Sequence, residues 1–370
     1  MMELGIALYP EKSDLNEMKE YLKMCHEYGF EYLYFNTLSL DKFQTKEELI
    51  AFYEPVSSFA HTLGYRIVYD IAPRIFQKFH IDYHDLSVFH EMNAYGIRVD
   101  QPFSGNEEAL MTFNDFDICV ELQLDNDTHY IDTVLDYRPN RKRLSGCHNF
   151  YPHLYTAMSD EYFEKCNQVC IRNGLPITAY ITSQNEGVFC QWEDTTKAVS
   201  IERHRDLLMV LQVKEFIARG NIDRLIVSNC YMSEAEAKQI AQLNKNLLTL
   251  NIQIQDELTE TENKILFKEL HFCRGDKSEY SIRSTQSRVK YKGIHFPLHN
   301  AQEYLEKGDI IIESSQSGMY AGELQIVTKR MKNGKKSSVV AKIMPEEVYL
   351  LDYIQPWQKF RFLLGERYER

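Results

Sequence analysis

The chain has 370 residues, of which 44% are hydrophobic, and a formal net charge of −12 at pH 7. This negative charge argues against nucleic acid as the main partner, because phosphate backbones are bound by concentrated Lys and Arg. No run of 18 apolar residues is present, so we expect no membrane-spanning helix and no membrane partner.

Strand-like and helix-like segments alternate over the first 245 or so residues. Pairs of the capping type, Asp14-x-x-Glu17 and Ser233-x-x-Glu236, mark the starts of the first and the eighth helix. A long helix is predicted from Ser200 to Gly220. The predicted strands are 4–11, 31–38, 65–73, 94–100, 117–124, 143–148, 175–183 and 222–229.

Eight strands alternating with helices predict an α/β fold with a parallel sheet, most economically a closed (β/α)8 barrel. An open doubly wound sheet is the alternative. It is disfavoured because no glycine-rich phosphate-binding sequence follows the first strand.

The composition changes near residue 248, where a β-rich second domain begins. A capping box, Thr259-x-x-Glu262, starts one helix, and strands are predicted after it. The chain has room for a barrel of about 250 residues and a second domain of roughly 100. We therefore predict a catalytic barrel at 1–247 and a β domain at 248–370. The strands of the second domain are expected at 288–296, 308–314, 321–329, 337–343 and 360–364.

The beginning of the chain and its cysteines predict a cytoplasmic protein. The N-terminus leads into a strand without the charged-then-apolar pattern of a signal peptide. The eight cysteines lie inside apolar patterns and form no CxxC pair. This usage indicates reduced core residues. We expect no metal and no cofactor, because zinc-ligand spacing is absent.

Polar residues at the carboxyl ends of four predicted strands form the candidate active site. In a parallel barrel these ends meet at one mouth, where the chemistry takes place. Side chains alternate along a strand, so Asp70, Arg98, Asp100 and Glu121 face the interior, and Glu11 lies just past the first strand. A lone Arg–Asp pair often only joins strands, but several carboxylates placed together push their pKa values apart. One protonated and one ionised carboxyl group can hydrolyse a glycosidic bond.

Within this set we expect Asp100 to be the base or nucleophile and Glu121 the general acid. Arg98 lies on the same face as Asp100 and favours its ionised form. Glu121 has apolar neighbours in the sequence, where desolvation favours the protonated form. Asp70 and Glu11 are the alternative catalytic carboxylates if the strands end at other residues than predicted. Retention and inversion of configuration both stay open.

Other residues near the mouth are expected to bind a small-molecule substrate. His148 and Asn149 follow the sixth strand and can hydrogen-bond hydroxyl groups. His148 is equally compatible with a scaffold role, and its spacing from neighbouring acids is not diagnostic of a metal site. Tyr9, Asn229 and Arg98 complete the predicted substrate-binding set.

A basic segment in the second domain is the candidate phosphate site. Residues 271–291 concentrate Arg274, Arg283 and Arg288 in an otherwise acidic chain. Arginine matches a phosphate or carboxylate group bidentately. The alternative is a solvated strand face with alternating charge.

Several motifs resemble the bacterial 6-phospho-N-acetylmuramidase family, namely LGIALYPE, YGIRVDQPF, GCHNFYPH and RGDKSEYSIRSTQSRVKYK. The resemblance covers essentially the whole chain. It implies a TIM barrel followed by a cyclophilin-like domain. It also implies hydrolysis of 6-phospho-N-acetylmuramic acid linked to N-acetylglucosamine, in peptidoglycan recycling in the cytoplasm. The loop 183–197 matches the family pattern less well, which leaves the leaving-group specificity less secure.

Two other classes of function stay open. A metal-dependent sugar-phosphate isomerase or aldolase uses the same kind of barrel, but an aldolase needs a Schiff-base lysine at a strand end, and the eight strands offer none. A non-enzymatic binding module would tolerate replacement of the carboxylates at the mouth. The oligomeric state is left open.

Overall fold

The computed structural model describes residues 2–37, 43–192 and 195–365. The chain divides into two compact units, which are Met1–Val213 with Asn221–Gln242, and Lys214–Gly220 with Leu243–Arg370. The second unit thus includes the end of one barrel helix. The division after Gln242 falls a few residues before the predicted boundary at 247/248.

The first unit is a closed barrel of eight parallel strands in sequence order, in which β8 pairs with β1. This confirms the predicted (β/α)8 barrel. Leu38, the last residue of the predicted second strand, lies outside the described residues. The strands β1 to β8 are Glu3–Leu8, Tyr32–Asn36, Arg66–Ile71, Ala94–Val99, Cys119–Gln123, Leu144–Cys147, Ile177–Ile181 and Arg224–Val227.

The barrel helices begin where the capping patterns predict. Asp14 accepts hydrogen bonds from the backbone N–H groups of Asn16 and Glu17 at 2.8 and 3.3 Å, and Ser233 and Glu236 form a capping box. The long helix predicted from Ser200 is wrong, because a 3-10 helix at Glu202–Asp206 precedes the α-helix. The helices α1 to α9 are Leu15–Glu27, Lys46–Thr62, Pro73–Phe79, Ser87–Glu91, Asn106–Met111, Tyr130–Asp136, Asp160–Asn173, Met209–Arg219 and Glu234–Ala241.

The second unit is β-rich, as predicted. Its main sheet has seven strands in the order β10-β17-β9-β16-β13-β14-β11, and β12 pairs with β15 separately. Only the β17–β9 pairing is parallel among the described pairs of this sheet. The strands β9 to β17 are Leu248–Ile254, His271–Phe272, Ser281–Ser284, Tyr304–Leu305, Asp309–Glu313, Leu324–Val327, Met331–Lys332, Ser337–Ile343 and Lys359–Leu364.

Helices in this unit are α10 (Glu260–Lys268) and α11 (Gln286–Lys290), with 3-10 helices at Ser315–Tyr320 and Pro345–Asp352. The strand predicted at 288–296 is wrong, since α11 and a turn occupy that segment. Its alternating apolar residues form no buried face, because Val289 is 71% exposed. The likeness to cyclophilin stays a prediction.

All eight cysteines are unpaired, and seven are buried. None of the helices in the described part of the chain has the length and apolar character that crossing a membrane requires.

His299 in the second unit lies between two carboxylates. Its Nδ1 is 2.9 Å from Asp256 and its Nε2 is 3.0 Å from Glu262, which also caps α10 at Thr259. Burial lowers the pKa of His299, but the hydrogen bonds to Glu262 and Asp256 outweigh burial and raise it above the usual value.

The two hydrogen bonds between His299 and the carboxylates predict that the stability of the protein depends on pH. The pKa of His299 is higher in the folded state than the roughly 6.5 of the unfolded chain, so its stabilising contribution is complete below that pH. The contribution is lost as the pH rises through the folded-state pKa. We expect the free energy of unfolding, measured by urea titration between pH 5 and 8, to fall less steeply in His299→Gln than in the wild-type protein. The exposed His295, substituted in the same way, is the control, and equal slopes in both variants would contradict the assignment.

Candidate active site

A buried arginine organises the carboxyl ends of the barrel strands. Arg98 on β4 is fully buried, and its Nη1 lies 3.0 Å from Asp70 and 3.1 Å from Asp100. Its Nη2 lies 3.3 Å from the side-chain oxygen of Asn149 and 3.5 Å from the carbonyl oxygen of His148. We call Asp70, Arg98, Asp100 and Asn149 the Arg98 cluster. The sequence predicted that Asp70, Arg98 and Asp100 meet at the mouth and placed Asn149 near it, and the structure brings the four side chains together.

Members of the Arg98 cluster differ in their access to solvent. Asp70 is 2% exposed, whereas the Asp100 side chain is 16% exposed and Asn149 is partly exposed. Burial raises the pKa of Asp70 to about 6, and the nearby negative charge of Asp100 acts in the same direction, against Arg98. The cluster therefore combines a carboxyl group that protonates near neutral pH with a more accessible carboxylate.

The loop that carries Asn149 is held by the 3-10 helix after β7. Ser200 donates to the carbonyl oxygen of Asn149 at 2.8 Å. Arg205 donates to the carbonyl oxygens of Tyr151 and His153 at 3.0 and 3.1 Å. The side-chain hydrogen bond from Arg205 also lowers the pKa of Glu202 to about 2. This anchoring explains why the segment is not the long helix that the periodicity predicted.

Arg98 has a different role from the one predicted. Its guanidinium is 0% exposed, and both Nη atoms are occupied by hydrogen bonds to the protein, so Arg98 orients its neighbours instead of contacting substrate. The prediction that Arg98 binds substrate is therefore corrected to a positioning role.

The predicted position of Glu121 at the mouth is wrong. Glu121 forms an ion pair with Arg224, the first residue of β8, and accepts a hydrogen bond from Tyr34 at 2.6 Å. Arg224 also lies 3.4 Å from Glu3, the first residue of β1. Glu121 thus belongs to an ion-pair group at the amino-terminal ends of the strands, and its surroundings are not apolar.

His148 does not face the barrel mouth. Its side chain is fully buried in the layer between the barrel and α7, where Nε2 lies 2.6 Å from Asn167 and the ring stacks on Phe163 at 4.0 Å. The predicted substrate contact is corrected to a scaffold role. The side chain points outward because alternation reverses one residue after Cys147.

Asn229 and Tyr9 also bond to the scaffold. The side-chain oxygen of Asn229 accepts a hydrogen bond from the backbone N–H of Ser183 at 2.8 Å, and its side-chain nitrogen donates to the carbonyl oxygen of Ser183 at 3.1 Å. These bonds join the segments that follow β7 and β8. Tyr9 is buried and donates its hydroxyl to the carbonyl oxygen of Ser228. Neither side chain is available to a substrate at the mouth, so both predictions are corrected.

Glu11 lies just past β1 and is partly exposed, as expected from its position in the chain. Burial raises the pKa of Tyr53, and a hydrogen bond to Glu11 raises it further.

Asp125 was missed in the sequence. Asp125 shares the alternation of Glu121 but follows the end of β5, and its carboxylate accepts a hydrogen bond from Tyr151 at 2.9 Å. Burial raises the pKa of Tyr151, the charge of Asp125 adds to this, and the nearby Arg98 opposes it. The polar end of the run LQLDND was the available signal.

Aromatic side chains lie beside the Arg98 cluster. The Tyr180 ring on β7 lies 6.0 Å from the Arg98 guanidinium, and Phe150 packs against Tyr180 at 4.6 Å. Trp192, which is 40% exposed, lies 5.6 Å from Phe150. Within the described residues the buried Tyr180 hydroxyl has no hydrogen-bond partner. Tyr180 and Phe150 are buried, so Trp192 is the exposed ring of the three, and its amphipathic indole can contact a ligand with an apolar and a polar face.

Two of the three arginines predicted for phosphate meet in the second unit. Arg283 and Arg288 both pair with Glu323, at 2.7 and 3.0 Å. Arg274 instead pairs with Asp276 at 2.6 Å. Over residues 2–37, 43–192 and 195–365, no group of three or more His, Cys, Asp or Glu side chains is arranged to hold a metal ion.

The chain forms a closed (β/α)8 barrel followed by a β-rich unit. Carboxylates lie at the carboxyl ends of the barrel strands, where barrel enzymes have their active sites. These features define a class of two-unit barrel proteins. Two family models match this chain, "6-phospho-N-acetylmuramidase, N-terminal" over residues 4–242 and "6-phospho-N-acetylmuramidase, C-terminal" over residues 248–363. The chain therefore belongs to the 6-phospho-N-acetylmuramidase family, which confirms the resemblance noted in its motifs. The family name indicates a glycosidase.

Solved structures share this fold over nearly the whole chain. An uncharacterized protein of B. cereus is 34% identical, with 98% of this chain and 100% of that one covered and a TM-score of 0.85. A conserved Enterococcus faecalis protein with an unknown function is 17% identical, covers 98% and 96% of the two chains, and has a TM-score of 0.64, which supports the fold alone. No curated protein matches the chain.

Proposed function

We propose that this protein is a glycoside hydrolase that cleaves 6-phospho-N-acetylmuramic acid from N-acetylglucosamine during peptidoglycan recycling in the cytoplasm. The observation that carries the hydrolytic part is the Arg98 cluster, in which one guanidinium nitrogen lies within 3.1 Å of both Asp70 and Asp100. The family name, which both halves of the chain match, supports the proposed substrate.

Asp70 and Asp100 are the catalytic pair in this proposal. Asp70 protonates the glycosidic oxygen, while a carboxylate oxygen of Asp100 bonds to the anomeric carbon and the bond to the leaving sugar breaks. Water then attacks the anomeric carbon, gives a proton to Asp70 and releases Asp100. The raised pKa of Asp70 supports the acid role that was first expected of Glu121. Arg98 holds both carboxyl groups in place, and Asp125 and Glu11 are the alternatives at the mouth.

Two oxygens that lie about 3 Å from one nitrogen are at most about 6 Å apart, which is below the ~6.5–9.5 Å separation of inverting enzymes. We therefore expect retention, seen by NMR as first formation of the product anomer that has the configuration of the substrate. First formation of the opposite anomer would remove Asp100 as nucleophile.

The acid role of Asp70 predicts a pH profile. Its protonated form decreases above a pKa of about 6, so kcat/KM should fall about tenfold per pH unit above that value. The free energy of unfolding should also fall as the pH rises. A folded-state pKa above the usual ~3.9 stabilises the protein at low pH, and this stabilisation is lost as the pH rises through about 6. Asp70→Asn should lower kcat by about 10²–10⁴-fold and remove this limb. A substrate with an activated leaving group needs no acid in the first step, so its kcat/KM in Asp70→Asn should stay close to that of the wild-type protein, whereas its kcat should fall because Asp70 is also the base of the second step.

The substrate is tested by incubating the protein with the phosphorylated disaccharide and, separately, with its unphosphorylated form. We expect release of N-acetylglucosamine from the first and much slower release from the second. No release from either disaccharide would overturn the proposed function. Equal release from both would keep the glycosidase and reject the phosphorylated substrate.

A further inference from the structure

The second unit contains a pocket of about 450 Å³ lined by Arg283, Glu313, Ser317, Tyr320, Gln325 and Lys336. We call it the Tyr320 pocket. We propose that it binds the phosphomonoester group of a phosphorylated amino sugar. The sugar identity rests on the proposed function, whereas the anion site rests on the geometry of this unit alone.

A buried carboxylate orients the cations of this pocket. Glu323 is 0% exposed and accepts from Arg283 through Nε at 2.7 Å and Nη2 at 3.2 Å. Arg288 pairs with the same carboxylate through Nη1 at 3.0 Å. Each guanidinium has five N–H donors, so both keep donors beyond those directed at Glu323. Their side chains are 21% and 22% exposed, which leaves these donors accessible.

The charge of the pocket favours an anion. Arg283 and Lys336 in the lining, with Arg288 beside them on Glu323 and Tyr320, supply three positive charges, and Lys336 is exposed. The second carboxylate of the pocket, Glu313, accepts hydrogen bonds from the hydroxyl groups of Ser317 and Ser337 at 2.5 and 3.0 Å. The positive charges thus exceed the negative ones in a chain whose overall charge is −12.

Tyr320 adds an aromatic wall beside the cations. Its ring lies 5.9 Å from the Arg283 guanidinium and 5.1 Å from that of Arg288, and the residue is 44% exposed. An exposed ring next to an anion site offers an apolar face to the body of a ligand whose charged group meets the cations. A phosphomonoester presents three acceptor oxygens to donors from several side chains, whereas a planar carboxylate presents two.

Binding to the full chain is measured by isothermal titration calorimetry with three probes: inorganic phosphate, 6-phospho-N-acetylmuramic acid and unphosphorylated N-acetylmuramic acid. Lys336→Met and Arg288→Gln should weaken the two phosphate-bearing probes about tenfold or more, as expected for a lost charged hydrogen bond. Tyr320→Ala should weaken the sugar phosphate and leave inorganic phosphate unchanged. Lys336 is exposed, so its variant tests the site without removing a buried partner.

Matched controls come from the same unit. Lys335→Met changes the neighbouring exposed lysine, and Arg274→Gln changes an arginine that pairs with Asp276 and not with Glu323. Both should bind all probes like the wild-type protein. Unchanged binding in Lys336→Met and Arg288→Gln, an equal loss in Arg274→Gln, or equal binding of the unphosphorylated sugar would each overturn the proposal.

The pocket and the proposed function fail separately. Phosphate binding that depends on Lys336 and Arg288, without hydrolysis of the disaccharide, would reject the hydrolase and keep the pocket. Hydrolysis of the disaccharide by the wild-type protein, together with unchanged binding of inorganic phosphate in both variants, would keep the hydrolase and reject the pocket.

Discussion

Asp100→Asn is expected to lower kcat by about 10³-fold or more while the protein stays folded. The amide keeps the shape of the side chain and a hydrogen-bond acceptor near Arg98, but it cannot bond to the anomeric carbon as a carboxylate does. Asp100 is partly exposed, so loss of its charge should change the free energy of unfolding by only about 1 kcal/mol. Steady-state kinetics with the phosphorylated disaccharide and urea unfolding measure the two quantities.

Two comparison variants make this result specific. Asp115→Asn changes an exposed aspartate in the turn before β5, away from the mouth, and should leave both quantities unchanged. Glu121→Gln should show the reverse pattern, since it breaks the buried pair with Arg224 and costs about 3–5 kcal/mol of stability. Its kcat per folded molecule should stay close to that of the wild-type protein. Near-normal turnover in Asp100→Asn would remove Asp100 from the mechanism.

Arg98→Met should destabilise the protein by about 3–5 kcal/mol and abolish turnover, the second large effect that we expect. Arg98 is the cation that faces Asp70, which is 2% exposed, and its removal leaves that carboxyl group buried without a compensating charge. Activity should be lost as well, because Asp100 and Asn149 lose the group that orients them. Urea unfolding and the disaccharide assay provide the measurements.

A double variant separates charge compensation from shape. Arg98→Met combined with Asp70→Leu replaces the buried pair by apolar side chains and should recover most of the lost stability, since well-packed apolar replacements of buried pairs are often neutral. It should remain inactive because the acid is absent. If Arg98→Met alone is as stable as the wild-type protein, then Arg98 does not compensate Asp70.

The alternation of strands and helices in the first unit could be read from the sequence because its signals are local. Capping residues such as Asp14 and Ser233 act within one helical turn. Side chains alternate along a strand, so Arg98 and Asp100 are on one face whatever the barrel does around them. This local rule also placed Asp70 with them, because the ends of neighbouring parallel strands lie side by side.

Local rules do not specify how far along the barrel axis a side chain lies. The wrong prediction for Glu121 illustrates this. Glu121 is the register partner of Arg98, yet its side chain bonds to Arg224 toward the opposite end of the barrel. Asp125, on the same alternation and further along, is the carboxylate that lies near the mouth. Which of the two reaches the mouth depends on the stagger of the strands, which barrel closure sets.

Tertiary contacts also decided the partners of residues in the second unit and at the ends of strands. Composition alone identified Arg283 and Arg288 as a basic segment, but their common partner Glu323 lies on a distant part of the chain and becomes visible only when β11 and β14 pair. His148 turned out to face α7 rather than the mouth. The sequence by itself therefore determined the strands of the barrel, the alternation of their faces and the family motifs. Depth, partners and access were decided by the tertiary structure, because they depend on contacts between residues far apart in the chain.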